Sequence, residues 1–262
     1  MDDNQSVLLA ERVGAVLTLT LNRPTRFNAL DDPLKDALLA ALQAGVRDPE
    51  VRCIILTGAG KAFCAGQDLN AGDDLRPDQV GKELRLRYNK IVRLLYGMEK
   101  PIIAAVNGVA AGAGMSLALA CDLRLMGERS SLRLAFSNIG LIPDCGATYS
   151  LPRLLPRGLL LDIAYTGRSI DAPEALRLGL ANRVVADADL LGEAASLAAI
   201  LAARPTRALG LTKRAFNRGE DATLKDALNY EAYTQEIAAG TMDFQDGLAA
   251  FREKRQPRFE GR

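Results

Sequence analysis

The chain has 262 residues, of which 48% are hydrophobic and 25% charged, and a net charge of +1. That is enough apolar material for a sizeable core, with no charge excess that would draw nucleic acid or an anionic membrane. It contains no histidine, and none of its four cysteines is in CxxC spacing; Cys/His metal sites and every mechanism with a histidine base are therefore excluded. No basic segment followed by an apolar stretch opens the sequence, and no run approaches the roughly 18 apolar residues of a bilayer span, so a reduced, cytoplasmic setting is expected.

Taken in order, Val7 to Leu9 and Val13 to Leu21 predict two early strands with a turn at Glu11 to Gly14, the second strand alternating at period two. Asn22-Arg23-Pro24 opens a polar loop, and Asp31-Asp32-Pro33 starts a helix that reaches about Val46. Cys53 to Thr57 predicts a third strand, followed by a small-residue turn centred on Gly66 with Asp68 close behind. Asn70 to Gln79 predicts a surface loop, and Val80 to Met98 a helix.

Ile102 to Val106 is a continuous apolar run with β-branched residues, the pattern of a strand buried on both faces. Gly108, Gly112 and Gly114 follow among alanines and lead into an apolar helix. Leu123 to Met126 predicts a strand, with a further extended piece to Phe136. Gly140 to Gly146 forms a turn before helical periodicity that runs to Leu154. A short helix at Ala172 to Leu178 and a short strand at Asn182 to Val185 come next. From Leu190 to Phe251 the pattern is helical, with breaks at Pro205 and Gly219. The whole predicts an α/β fold with mostly parallel strands and a helical tail beyond about residue 200.

Two small-residue turns after buried strands, Cys64 to Gln67 and Gly112 to Gly114, either pack tightly or present backbone N–H groups to an oxygen that becomes negative during a reaction. Asp144, between Leu141-Ile142-Pro143 and Cys145-Gly146-Ala147, is either the cap of the next helix or an acid/base whose pKa is raised by burial. Asp68 either meets a ligand or caps a turn, Asp122 anchors a loop, and Arg26 and Lys61 meet phosphates or water. The Gly112-Ala113-Gly114 segment lacks the third glycine of a dinucleotide fingerprint, and Ser116 lacks both a GxSxG frame and a histidine, so neither a Rossmann site nor a hydrolase triad is supported. In the tail, Leu224, Leu228, Ile237, Leu248 and Phe251 are expected to pack on the core or on a neighbouring subunit.

Taken together, NRPTRFNAL, LTGAGKAFCAGQDL, KPIIAAVNGVAAGAGMSLALACDLRL, FSNIGLIPDCGATYSLPRL and AFREKRQPRF resemble the crotonase (enoyl-CoA hydratase/isomerase) superfamily over nearly the whole chain. The resemblance implies a spiral of β-β-α turns over residues 1–200 that binds the CoA ester, and a helical region at 201–262 that builds a homotrimer or a dimer of trimers. It implies an acyl-CoA thioester as substrate, coenzyme A being part of it, and no metal or other cofactor, nucleic acid or membrane. The oxyanion donors fall on the N–H groups of Gln67 and Ala113. The CoA contacts fall on Arg26, Ala29, Ala65, Asp68 and Leu69, with Asn70 lining the acyl side, and Gly72 to Arg87 and the tail complete the pocket.

Hydratases of the family hold water between two glutamates, and here those places carry Ser116 and Phe136, which cannot serve as general acid and base. Asp144 falls where the dienoyl-CoA isomerases place a catalytic aspartate and the 4-chlorobenzoyl-CoA dehalogenase its nucleophile. The dehalogenase also needs a histidine and a tryptophan, which this chain lacks. Around Asp144 the sequence looks most like the branch that isomerises ring-1,2-epoxyphenylacetyl-CoA to the oxepin; a Δ3 to Δ2 double-bond shift would use the same parts.

Overall fold

A computed structural model describes residues 6–70 and 76–261. β1 (Leu8–Val13) and β2 (Val16–Leu21) form an antiparallel hairpin closed at Gly14, whose φ is +58°. The sequence places that turn at Glu11 to Gly14, yet β1 runs on to Val13. It is an edge strand whose residues after Leu8 face solvent, so it carries no apolar alternation to read.

α1 (Asp32–Arg47) starts where Asp31 accepts the Leu34 N–H at 3.0 Å and ends one residue beyond the expected Val46. β3 (Cys53–Gly58) and β4 (Ala62–Cys64) follow. Part of the expected Asn70 to Gln79 loop, residues 71–75, lies outside the described residues. Its end is already helical, because Pro77 opens α2 (Pro77–Glu83). The single helix expected from Val80 to Met98 is divided. A wide π turn at Leu84–Tyr88 joins α2 to α3 (Asn89–Gly97).

β5 (Ile102–Val106), β6 (Val109–Ala111) and α4 (Ala113–Ala120) make up the glycine-rich centre. β7 (Leu123–Gly127) and β8 (Ser131–Arg133) follow. Phe136, expected in an extended piece, instead opens a 3-10 turn to Ile139. Next come α5 (Ala147–Leu154), α6 (Arg157–Thr166), β9 (Ser169–Asp171), α7 (Ala172–Arg177) and β10 (Arg183–Val185). The chain ends in α8 (Leu190–Ala202), α9 (Thr206–Gly219), α10 (Leu224–Ala239) and α11 (Met242–Glu253).

The strands form two sheets, β1-β2-β3-β5-β7-β10 and β4-β6-β8-β9. Only β1–β2 and β8–β9 are antiparallel. Each of β3, β5 and β7 in the large sheet is followed at once by a three-residue strand of the small one. The chain thus climbs through repeated β-β turns, each closed by helix: the spiral that the resemblance implies.

The central strands are buried on both faces, and their side chains alternate between two cores. Ile54, Leu56, Ile102 and Ala104 join a large cluster with Leu34, Leu38, Leu42, Ile91 and Leu95. Cys53, Ile55, Ile103 and Ala105 pack instead against Leu190, Ala194, Ala198 and Ala202 of α8. Sealing a sheet this way stabilises by about 1.5–3 kcal/mol per large aliphatic side chain, and it leaves the strand ends as the place where backbone can be spared for chemistry.

α9 is fastened to this body by Lys213, which reaches Asp122 Oδ1 at 2.8 Å and the Leu95 carbonyl at 2.7 Å. Asp122 also accepts the Ile102 N–H at 2.9 Å, the anchoring role expected of it; burial raises its pKa, against the pull of Lys213. Of the tail residues expected to pack, Leu224, Leu228, Leu248 and Phe251 are exposed in the single chain.

Candidate active site

The two small-residue turns meet. After β4, Gly66 takes a φ of +95°, and the chain touches Leu30 through a single parallel bridge: Leu30 N–H donates to Gly66 O at 2.7 Å, and Asp68 N–H donates to Leu30 O at 3.0 Å. Those bonds use the groups on either side of Gln67. The amide of Gln67 itself is therefore turned away from Leu30.

After β6, Gly112 takes a φ of +52° and α4 begins at Ala113, whose N–H lies in the first turn of the helix, beyond reach of any intrahelical acceptor. A methyl group on Gly66 would come within 2.9 Å of Ala111 O and 3.4 Å of Ala113 N, and one on Gly114 within 2.2 Å of Cys64 O. Only glycine permits this approach, so the two turns lie side by side because of it. Every residue of α4 is buried, which places the positive end of its dipole in a low-dielectric setting.

Gln67 and Ala113 both line a cavity of about 830 Å³, and Asp144 lines it too. The capping alternative for Asp144 does not hold: the residue capping α5 is Gly146, at φ +85°, without a side-chain bond. Asp144 gives only its backbone carbonyl to the Ala147 N–H, at 3.0 Å. Its Oδ1 is buried without a hydrogen-bond partner. Burial raises the carboxyl's pKa, opposed by a hydrogen bond with the Cys145 side chain.

The two places that would carry glutamates in a hydratase are apolar or occupied. Ser116 is buried and its hydroxyl donates to Gly112 O at 3.2 Å. Phe136 is a cavity wall, its ring tip 3.9 Å from where a side chain on Gly112 would begin.

A charged cluster on another wall has no counterpart in the sequence reading. Lys35 of α1 is 0% exposed; its ammonium lies 2.9 Å from Asp32 Oδ1 and 2.6 Å from Glu83 Oε1, and donates to Gln67 Oε1 at 3.3 Å. Arg87 joins Asp32, Asp36 and Glu83 at 2.8, 2.9 and 2.7 Å. Tyr88 donates its hydroxyl to Gln67 Oε1 at 2.5 Å. Among the described residues lining the cavity, Asp144 is thus the carboxyl group without a cationic partner. A sequence signal for Lys35 existed: with Leu38 and Leu42 it holds positions i, i+3 and i+7 on the buried face of α1.

Ala65 and Leu69 line the cavity and are exposed. Arg26 ends an exposed 3-10 turn and Asn70 is exposed, whereas Ala29 is buried. Asp68 is 6% exposed and paired with Arg23 at 2.9 Å. Burial would raise its pKa, but the Asn70 N–H and Arg23 outweigh that and lower it. Arg26, Ala29, Asp68 and Asn70 stand beside the cavity on the segments joined by the Leu30–Gln67 bridge and are not among the residues that line it. Lys61 is exposed.

This fold and paired-turn site define a class. The family described as Enoyl-CoA hydratase/isomerase matches residues 11–262, and the chain belongs to that family of enzymes. It is 43% identical, over 94% of its length and 95% of the other's, to a 1,2-epoxyphenylacetyl-CoA isomerase of Escherichia coli strain K12. It is 36% identical to a short-chain-enoyl-CoA hydratase of Clostridium acetobutylicum, with 95% of each chain covered. Among solved structures, an enoyl-CoA hydratase from Bacillus anthracis superposes with a TM-score of 0.93 at 35% identity, covering 98% of this chain and 100% of that one.

Proposed function

We propose that the protein is an acyl-CoA isomerase that works through a thioester enolate with Asp144 as its one acid/base. The thioester oxygen sits between the N–H groups of Gln67 and Ala113, and the charge that develops on it is held by both amides and by the start of α4. This makes the α-position acidic. In a Δ3 to Δ2 shift, ionised Asp144 takes a proton from C2, the dienolate electrons spread to C4, and Asp144 returns the proton there, so nothing is consumed. With 1,2-epoxyphenylacetyl-CoA, the same polarised thioester accompanies rearrangement to oxepin-CoA. Coenzyme A enters as part of the substrate, and the chemistry calls on no metal or redox cofactor.

One observation carries the reading: a buried, unpartnered carboxyl oxygen of Asp144 lines the same cavity as both turns. The occupied Ser116 and the phenyl ring of Phe136 weigh against classical hydration. In this reading Arg26, Ala29, Ala65, Asp68 and Leu69 contact CoA, and Asn70 lines the acyl side. The exposed apolar residues of the helical region at 201–262 are the surface on which a trimer or hexamer assembles, in the cytoplasm.

The test is an assay of the purified protein with 1,2-epoxyphenylacetyl-CoA, a 3-enoyl-CoA and crotonyl-CoA. Isomerisation of either of the first two at enzymatic rates, with slow or no hydration of the third, is expected. Hydration of crotonyl-CoA as the dominant reaction would overturn the proposal in favour of displaced acid/base groups. Binding of all three without turnover would make the protein a CoA-thioester-binding subunit.

A further inference from the structure

The cluster around Lys35 converges on one atom. Gln67 is held from the main chain by its neighbours' bonds to Leu30, and its side-chain oxygen accepts both the Tyr88 hydroxyl at 2.5 Å and the Lys35 ammonium at 3.3 Å. An amide oxygen has two lone-pair directions, so two donors fix the plane of the side chain as well as its reach. Both donors are themselves immobile. Tyr88 is 3% exposed, forms one buried stripe with Ile91 and Leu95, and lies with its ring centroid 5.3 Å from Lys35 Nζ. Lys35 is clamped by Asp32 and Glu83.

Tyr88 also closes the π turn, which holds one residue more than an α turn and is a device found often at functional sites. Upstream of it Glu83 meets Lys35, while Tyr88 at its end meets Gln67. Burial and the nearby Asp144 and Glu83 all keep the Tyr88 hydroxyl protonated, and therefore a donor.

We infer that Tyr88 is a positioning residue for the reaction: by donating to the side chain of Gln67, it holds the backbone N–H of that residue on the substrate's thioester oxygen. The inference rests on the reading of Gln67 and Ala113 as the oxyanion donors. A donor must stay within about 0.5 Å of its working position as charge builds on the oxygen. At Ala113 the first turn of α4 meets that demand; at Gln67, which lies in a turn outside any helix, the side-chain tie adds to the backbone one.

The test is Tyr88→Phe, which keeps the ring and its packing and removes only the O–H. Its thermal midpoint is measured first, then kcat and KM with a 3-enoyl-CoA. The infrared carbonyl stretch of bound [1-13C]butanoyl-CoA, which has no double bond to move, is recorded for both proteins. We expect the wild-type protein to shift that stretch to lower frequency and the variant to shift it less, with kcat down about tenfold and KM within twofold. Gln67→Leu removes the bonds from Tyr88 and from Lys35 together and is expected to lose at least as much as Tyr88→Phe, with the double variant losing no more than Gln67→Leu alone. An unchanged stretch and kcat in Tyr88→Phe, against a shifted wild type, would overturn the role of Tyr88 and leave the oxyanion reading standing. No shift in the wild type would overturn both.

Discussion

Two walls of one cavity treat their charges in opposite ways. On the α1 side, Asp32, Asp36 and Glu83 face Lys35 and Arg87, and each carboxylate is matched by a cation within 3 Å. On the α5 side, Asp144 stands with no cation and a bare Oδ1. A paired carboxylate is a poor base, because protonating it breaks the pair. An unpaired, partly buried one has its pKa raised toward the range in which it can both take and return a proton. In the proposed reaction the same chemical group thus serves as architecture on one wall and as reagent on the other, and the partner decides which.

Breaking the reactive wall has the larger expected effect. Ala113→Pro deletes the N–H proposed as an oxyanion donor at the first residue of α4, where the helix itself tolerates proline. kcat on a 3-enoyl-CoA is expected to fall on the order of 10²–10³ with circular dichroism unchanged; an unchanged kcat would remove Ala113 from the site.

Breaking the paired wall acts on stability as well as on the seating of Gln67. Lys35→Met takes one cation from Asp32 and Glu83, which keep Arg87, and the urea midpoint is expected to drop by the equivalent of about 1–2 kcal/mol. The exposed side of Asp32 softens the loss. A midpoint equal to that of the wild-type protein would mean that the cluster is not structural.

Much of this was legible in the sequence. β5 and β3 announce themselves as apolar β-branched runs, and the glycines after them mark where backbone must approach backbone. Of the small sheet only β8 was legible, within the extended piece expected up to Phe136; the other strands were not, because each has three residues and a pattern of period two needs more. α6 was missed as well. The π turn at Leu84–Tyr88 leaves the helical pattern intact and is visible only in the hydrogen bonding.

The site divided in the same way. Local chemistry singled out Asp144, but whether it capped a helix or faced the cavity depended on Gly146 taking the cap. The partnership of Lys35, Glu83, Tyr88 and Gln67 joins residues up to 53 positions apart in a chain whose spacing says nothing of it. In sequence terms Lys35 shows only as a charge at a buried-face position of a helix, with no sign of its partners.

The central claim is that one lone carboxyl moves the proton, and the pH dependence of kcat/KM for the wild type and for Asp144→Asn, on the same 3-enoyl-CoA, tests it most directly. Because burial raises the folded-state pKa of Asp144 and its basic form begins the reaction, wild-type activity should be lost as pH falls through a single ionisation above the ordinary carboxylate value of 3.8. Asp144→Asn should run about 10³-fold slower, without that limb, on an intact fold. Near-wild-type turnover by Asp144→Asn with the same acid limb would contradict the account.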